Sequence, residues 1–219
     1  MVKKNDFIEI EYTGKTVDDA VVFDTTDPKV AQVAGLDSQQ TFAPITICVG
    51  QHQVLPGLDH KLEGKELGKE YVIELTPEDA FGKKDPKLVQ LVQTSKFLKQ
   101  KIQPMPGLQV NIDGMMATIK TVSGGRTMID FNHPMAGKVI SYTFKINKVV
   151  TDDSEKLKSY LKVSVGIDPD KVELAEGIAK IHVKQKIPEE ITKPLQEKVS
   201  EIIPQIKKLE FIIPQEIKK

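Results

Sequence analysis

Four histidines, one cysteine and a few carboxylates beside aromatic rings are the side chains of this 219-residue sequence best suited to chemistry on a substrate. His52, His60, His133 and His182 would serve as metal ligands or proton carriers. No two of them stand at the i,i+4 separation that puts imidazoles on one helix face, so a zinc site is not expected. Cys48, the sole thiol, lies inside the apolar run "ITICV" (45–49), which reads as core rather than nucleophile. Neither phosphate-cradling glycine pattern occurs, and Gly124-Gly125 falls between alternating segments as a hairpin turn. There is no G-x-S-x-G elbow. His133, in "NHPMAGK" (132–138), reads as part of a rigid strand return rather than as a ligand or base. By elimination, an activity carried here needs no cofactor, no metal and no covalent intermediate. What remains is apolar and aromatic surface with a few polar groups. Tyr12 closes a strand. Asp24 lies in "VFDTT", where an Asx turn is its alternative role.

The elements that must position these groups follow from patterning. Ile8, Ile10 and Tyr12 alternate with acidic residues, which predicts a half-buried strand ending at the "TG" turn. Val21, Val22 and Phe23 form a second run, and a Gln-rich excursion after it holds a helical turn or a bulge. The run 45–49 is a compact strand. In "VLPGLDHKLEGKELG" (54–68), Pro56 opens a short helix, Leu58 and Leu62 lie one turn apart, and Gly64 closes it. Val54, Leu55 and Leu58 make one end apolar, while Lys61, Glu63, Lys65 and Glu66 make the other polar. "YVIEL" (71–75) is another strand. After Lys83 the character changes to a β meander with turns at Asp113-Gly114 and Gly124-Gly125, and "VISYTFKINKVV" (139–150) alternates again. After Asp152 the pattern is mixed: Leu157, Tyr160 and Leu161 share a helical face, 177–183 and 208–213 read as strands, and Ile191, Leu195, Val199 and Ile202 keep helical spacing around Pro194.

Thirty-one basic and 31 acidic residues cancel, which gives no electrostatic reason to expect nucleic acid or an anionic membrane as partner. A single cysteine excludes an internal disulfide and fits a reducing compartment. The N-terminus has no signal-peptide core and no apolar run reaches membrane-spanning length, so a cytoplasmic protein is expected. The length suggests one to three domains.

"EYTG" (11–14), "VFDTT" (22–26), "VGQHQVLPGLDHKLEGKELGKEY" (49–71) and "DAFGKKDP" (79–86) occur in the order and rough spacing of the FKBP-type peptidyl-prolyl cis-trans isomerases, and the chain resembles that family over roughly its first 150 residues. The interruption after "AFG", ended by "NHPMAGK", is similar to the SlyD-like subgroup with a domain inserted in the flap. The C-terminal extension resembles the long archaeal members. The resemblance implies an α+β fold, a bent antiparallel sheet around one short helix, with a small β-rich insert and a C-terminal α/β domain. The implied domains are 1–86 with 131–151, 87–130, and 152–219. The implied prolyl pocket comprises Tyr12, Phe23, Asp24, Ile45, Val54, Leu55, Leu58, Phe81 and Tyr142, with Tyr12, Asp24, Phe81 and Tyr142 as catalytic residues. Leu58 stands where small drug-binding relatives often have tryptophan, and Phe81 replaces the tyrosine of "AYG". The insert is implied to bind unfolded chains, with Val89, Leu91, Val92, Met115 and Met116 as candidates; five of six methionines fall between Met105 and Met135. Expected partners are unfolded or proline-containing polypeptides. The tail lacks the His-rich metal-binding character of SlyD and could mediate a homodimer. The competing expectation is a non-catalytic holdase chaperone with a degenerate prolyl pocket.

Overall fold

The computed structural model describes residues 1–36, 41–185 and 187–213. In chain order these residues form β1 (Phe7–Thr16), β2 (Val22–Thr25), α1 (Pro28–Ala34), β3 (Ile45–Cys48), α2 (Pro56–Leu62) and β4 (Glu70–Leu75). Then come β5 (Val89–Gln93), α3 (Thr94–Lys99), β6 (Gln109–Ile112), β7 (Met115–Ser123), β8 (Arg126–Asp130) and β9 (Ile140–Val149). The last elements are α4 (Asp153–Val165), β10 (Lys171–Ala175), β11 (Ile178–His182), α5 (Glu189–Ile202) and β12 (Lys208–Ile212). Two compact units result: Met1–Lys15 with Ala20–Glu74 and Ser141–Lys219, and Thr16–Asp19 with Leu75–Ile140.

The first unit is organised on β1, which lies between β9 on one side and two short strands on the other. Its first half pairs antiparallel with β3, from Phe7 opposite Cys48 to Ile10 opposite Ile45; its second half pairs antiparallel with β2, Gly14 opposite Asp24. Ile8 and Ile10 are fully buried, because alternate side chains of the strand face the core. The "TG" pair expected to end this strand in a turn lies inside it. Gly14 is there for space, not for a turn. A Cβ added to it would lie 2.7 Å from the Tyr142 ring and 2.9 Å from the Phe23 ring.

The same unit holds the C-terminal elements. β11 pairs antiparallel with β10 and parallel with β12. A parallel pair needs a crossover, and α5 supplies it. Pro194 lies within α5 rather than at its start, and the helix continues past it. Leu157, Tyr160 and Leu161 of α4 are buried as their spacing predicts. They share one apolar cluster with Phe7, Cys48 and Val150 and with Ile181 and Val199, so the C-terminal segment and the first strands bury their apolar faces together.

In the second unit β5, β8, β7 and β6 form an antiparallel sheet in that order. The predicted meander is present, and its first turn has Asp113 and Gly114 both at positive φ (52° and 84°), as a two-residue hairpin requires. Phe97 of α3 packs with Val110, Ala117, Ile119 and Ile129 into a small core. Among the described residues no helix is long and apolar enough to cross a membrane.

Candidate functional site

The site is built where β2 locks onto β1. Thr26 Oγ1 accepts from the Tyr12 backbone N–H (2.9 Å), and the Tyr12 carbonyl accepts from the Thr26 N–H (2.9 Å) and from the Thr25 hydroxyl (3.1 Å). Both threonines are buried, so the two hydroxyls fix the backbone of Tyr12. The turn-forming role in "DTTD" falls to Asp27, not Asp24. Asp27 caps α1 by accepting from Lys29 N (2.7 Å), with Pro28 at the first helical position.

Asp24 is left free to face Tyr12. The register jumps from Gly14 opposite Asp24 to Lys15 opposite Val22, which makes Phe23 the extra residue of a β-bulge. In a regular strand Phe23 and Asp24 would point to opposite faces. The bulge lets the Phe23 ring reach Gly14 and Tyr142 while Asp24 takes a hydrogen bond from the Tyr12 hydroxyl. Tyr142, on β9 and 2% exposed, lies edge-on to both neighbours, with ring centroids 5.7 Å from Tyr12 and 5.9 Å from Phe23. Such edge-to-face pairs add about 0.5–1.5 kcal/mol each beyond their buried area.

The electrostatics follow from this packing. Burial raises the Asp24 carboxyl above its ordinary range, and hydrogen bonds from Tyr12 and from the Thr25 backbone pull it partly back. Burial, together with the negative charge of Asp24, pushes both Tyr12 and Tyr142 above the ordinary phenol range. Both tyrosines are therefore neutral hydrogen-bond donors at physiological pH. Burial likewise pushes the Cys48 thiol up to about 12, which leaves it a protonated core group. Among the described residues no three His, Cys, Asp or Glu side chains are grouped to hold a metal ion.

The short helix α2 answers to its sequence. Pro56 opens it, Leu58 and Leu62 are fully buried, and His60 and Lys61 face solvent. Leu55 is its N-cap without a side-chain cap bond, and Val54 and Leu55 are half-buried just before it. Ile45 stands opposite Ile10, two residues before Tyr12, and so lies on the same face of the sheet as Tyr12. Two residues that sequence reasoning missed hold this region. Asp59 is buried in α2 and accepts from the N–H groups of Gly50 (2.8 Å) and His52 (2.9 Å). Gln53 bonds the loop to β3 and to α4. An acidic residue on the buried face of a short helix was the available signal for Asp59. Nothing in the sequence marks Gln53.

The second unit holds the remaining candidates. Phe81 is half-buried and stacks on the His133 ring, with centroids 4.5 Å apart and planes at 4°. His133 Nδ1 accepts from the Met135 N–H at 3.2 Å, within the strand return. The five insert candidates do not share one face. Val92 packs against the small core, and with Met115 it lines a cleft of about 390 Å³ beside Phe97 and Phe131. Val89, Leu91 and Met116 alternate with the core-facing positions and lie on the opposite face, where Leu91 is 61% and Met116 58% exposed.

Comparison with known proteins finds relatives of one family. A family profile described as FKBP-type peptidyl-prolyl cis-trans isomerase matches residues 1–103, and one described as FKBP26, IF domain, matches residues 90–135. A short-type peptidyl-prolyl cis-trans isomerase of Methanocaldococcus jannaschii is 28% identical over 156 residues, covering 71% of this chain and 98% of that protein. A probable FKBP-type 16 kDa peptidyl-prolyl cis-trans isomerase of Pseudomonas fluorescens is 34% identical over 116 residues, 51% of this chain and 76% of the relative. The FKBP-type peptidyl-prolyl cis-trans isomerase SlyD of Helicobacter pylori is 30% identical over 116 residues, 51% and 62% of the two chains.

Proposed function

The chain belongs to the FKBP-type peptidyl-prolyl cis-trans isomerase family, and from that premise we propose that the Tyr12–Asp24–Tyr142 cluster with Phe23 is where it turns X-Pro bonds. Rotation about the amide has a barrier of ~18–20 kcal/mol because resonance must be broken. The uncatalysed event takes tens to hundreds of seconds. The planar amide is more charge-separated than the twisted one, so a dry aromatic site disfavours the ground state relative to the transition state. Contacts that fit only the twisted form add to this, and a thousandfold acceleration requires only about 4 kcal/mol. No proton transfer is needed. The hydrogen bond from Tyr12 to Asp24 is the observation that carries the reading. It spends the charge of Asp24 on holding an aromatic wall in place, and Ile45, Val54, Leu55 and Leu58 supply apolar floor.

Residues 87–130 act, in the same reading, as a chaperone domain for unfolded polypeptides. The exposed Leu91 and Met116 beside Val89 support it, since flexible apolar side chains adapt to varied sequences. Linking this weak site to the prolyl site raises the effective concentration of a captured proline. The same exposed face favours a second reading, a holdase without catalysis. A protease-coupled assay on an Ala-Leu-Pro-Phe peptide separates the two. Accelerated cis-to-trans conversion supports the isomerase; suppression of aggregation with no acceleration supports the holdase.

A further inference from the structure

We propose that Gln53 is a positioning residue for isomerisation and that α4, far along the chain, is its anchor; the inference rests on the assignment of Val54, Leu55 and Leu58 to the floor of the prolyl site. The segment 49–55 between β3 and α2 is irregular; backbone bonds hold its start, Val49 to Asn5 and Asp6 and Gln51 to Cys48, and side-chain bonds hold the residues that follow. Asp59 fastens its first half through Gly50 and His52. Gln53 fastens its second half. Its Oε1 accepts from Cys48 N–H at 2.6 Å, and its Nε2 donates to Ser164 Oγ at 2.7 Å. The orientation of the amide is dictated by chemistry: Cys48 N–H can only donate, so the oxygen faces it and the NH₂ faces Ser164.

Ser164 lies in the last turn of α4 and is hydrogen-bonded to the Tyr160 side chain. Tyr160, Leu157 and Leu161 are packed in the same buried cluster as Cys48. One end of the Gln53 bridge therefore lies in the buried strand β3, and the other, the exposed Ser164, is tied through Tyr160 to the same packed cluster. Val54 follows Gln53 directly, and Leu55 after it starts α2 with its carbonyl accepting from Asp59 N–H at 2.9 Å. Leu55 has no side-chain cap bond of its own. The bridge thus sets where the first floor residues stand, and the C-terminal helix is part of what shapes the site. Small displacements of a group that contacts a transition state cost rate more than they cost stability.

The test uses the full chain with three variants and a control. Gln53→Leu keeps the bulk and loses both bonds. Ser164→Ala loses only the outer one. Gln53→Glu keeps both, because a serine hydroxyl can donate as well as accept. Lys158→Ala, on the exposed side of α4, is the control. With a short prolyl peptide, Gln53→Leu is expected to lower kcat/KM about tenfold, through kcat, and Ser164→Ala about threefold. Gln53→Glu and Lys158→Ala stay within about twofold of wild type. Amide hydrogen exchange at residues 53–55 speeds up in the first two variants only. If Gln53→Leu does not fold, Ser164→Ala decides the matter alone. Wild-type kcat/KM in Gln53→Leu and Ser164→Ala at a temperature where both are folded, whatever their Tm, overturns the positioning role. Exchange at 53–55 no faster than wild type overturns the bridge itself. A wild-type chain inactive on the peptide would instead remove the floor assignment, and the exchange data would still decide whether the bridge holds the loop.

Discussion

The sheet around β1 and the sheet of the second unit both contain antiparallel pairs, yet they dispose of their side chains in opposite ways. On β1 and β9, Ile8, Ile10, Ile140, Phe144 and Ile146 are fully or almost fully buried, and the polar groups among them are bonded to one another. In the second unit, a core of Phe97, Val110, Ala117, Ile119 and Ile129 leaves Leu91, Met115 and Met116 each more than half exposed. The first arrangement fixes geometry, which is what stabilising a twisted amide demands. The second keeps adaptable apolar groups in reach of solvent, which is what capturing varied chains demands. Rigidity is placed where chemistry is proposed, and looseness where recognition is proposed.

The contrast breaks most sharply at Gly14. Gly14→Ala forces a Cβ within 3 Å of two rings. It is expected to lower unfolding free energy in urea by about 1–3 kcal/mol and kcat/KM on a prolyl peptide by on the order of a hundredfold. Near-wild-type values for both would mean that the cluster is not tightly held.

Asp24→Asn comes next. Loss of the charged acceptor for Tyr12 is expected to lower kcat/KM about tenfold. Its effect on stability has a sign that follows from burial. The folded-state pKa of Asp24 is raised, so its favourable contribution is fully present below the unfolded value of about 3.9 and is lost as pH rises through the folded value. The asparagine variant lacks this loss. Its Tm relative to wild type should therefore be higher at pH 7 than at pH 3.5, and a difference independent of pH would show that Asp24 is not buried in the way described.

The smallest effect belongs to the second unit. Leu91→Ser combined with Met116→Ser changes only exposed positions. Short-peptide kcat/KM should stay within about twofold of wild type, while catalysed proline-limited refolding of a whole protein slows about fivefold. Equal refolding rates for variant and wild type would erase the division of labour between the two sheets.

How much of this was legible before the structure depends on whether the signal was local. The helix at 56–62 could be read from Pro56 and the Leu58–Leu62 spacing, and the meander from its Asp-Gly and Gly-Gly turns, because caps and turns are local chemistry. The end of β1 was misread at "TG" because a glycine needed for ring packing looks the same as a glycine needed for a turn. Phe23 and Asp24 could be named as candidates, but not placed on one side of β2, since a bulge leaves no mark in alternation. The same limit hid the split of the methionine-rich second sheet into two faces, which depends on register. Helix α1 lies where a helical turn or a bulge was expected and is secured by its Asp27 cap and Gly35, while the short strand β10 was not predicted. The roles of Asp59 and Gln53 depend on backbone groups that only the fold brings near.

The most direct test of the central claim is intermolecular nuclear Overhauser contact between a bound Ala-Leu-Pro-Phe peptide and the protein. The account predicts contacts from the proline ring protons to the rings of Phe23 and Tyr142. Proline contacts confined to the methyl groups of Met115 and Met116, with none to Phe23 or Tyr142, would contradict it.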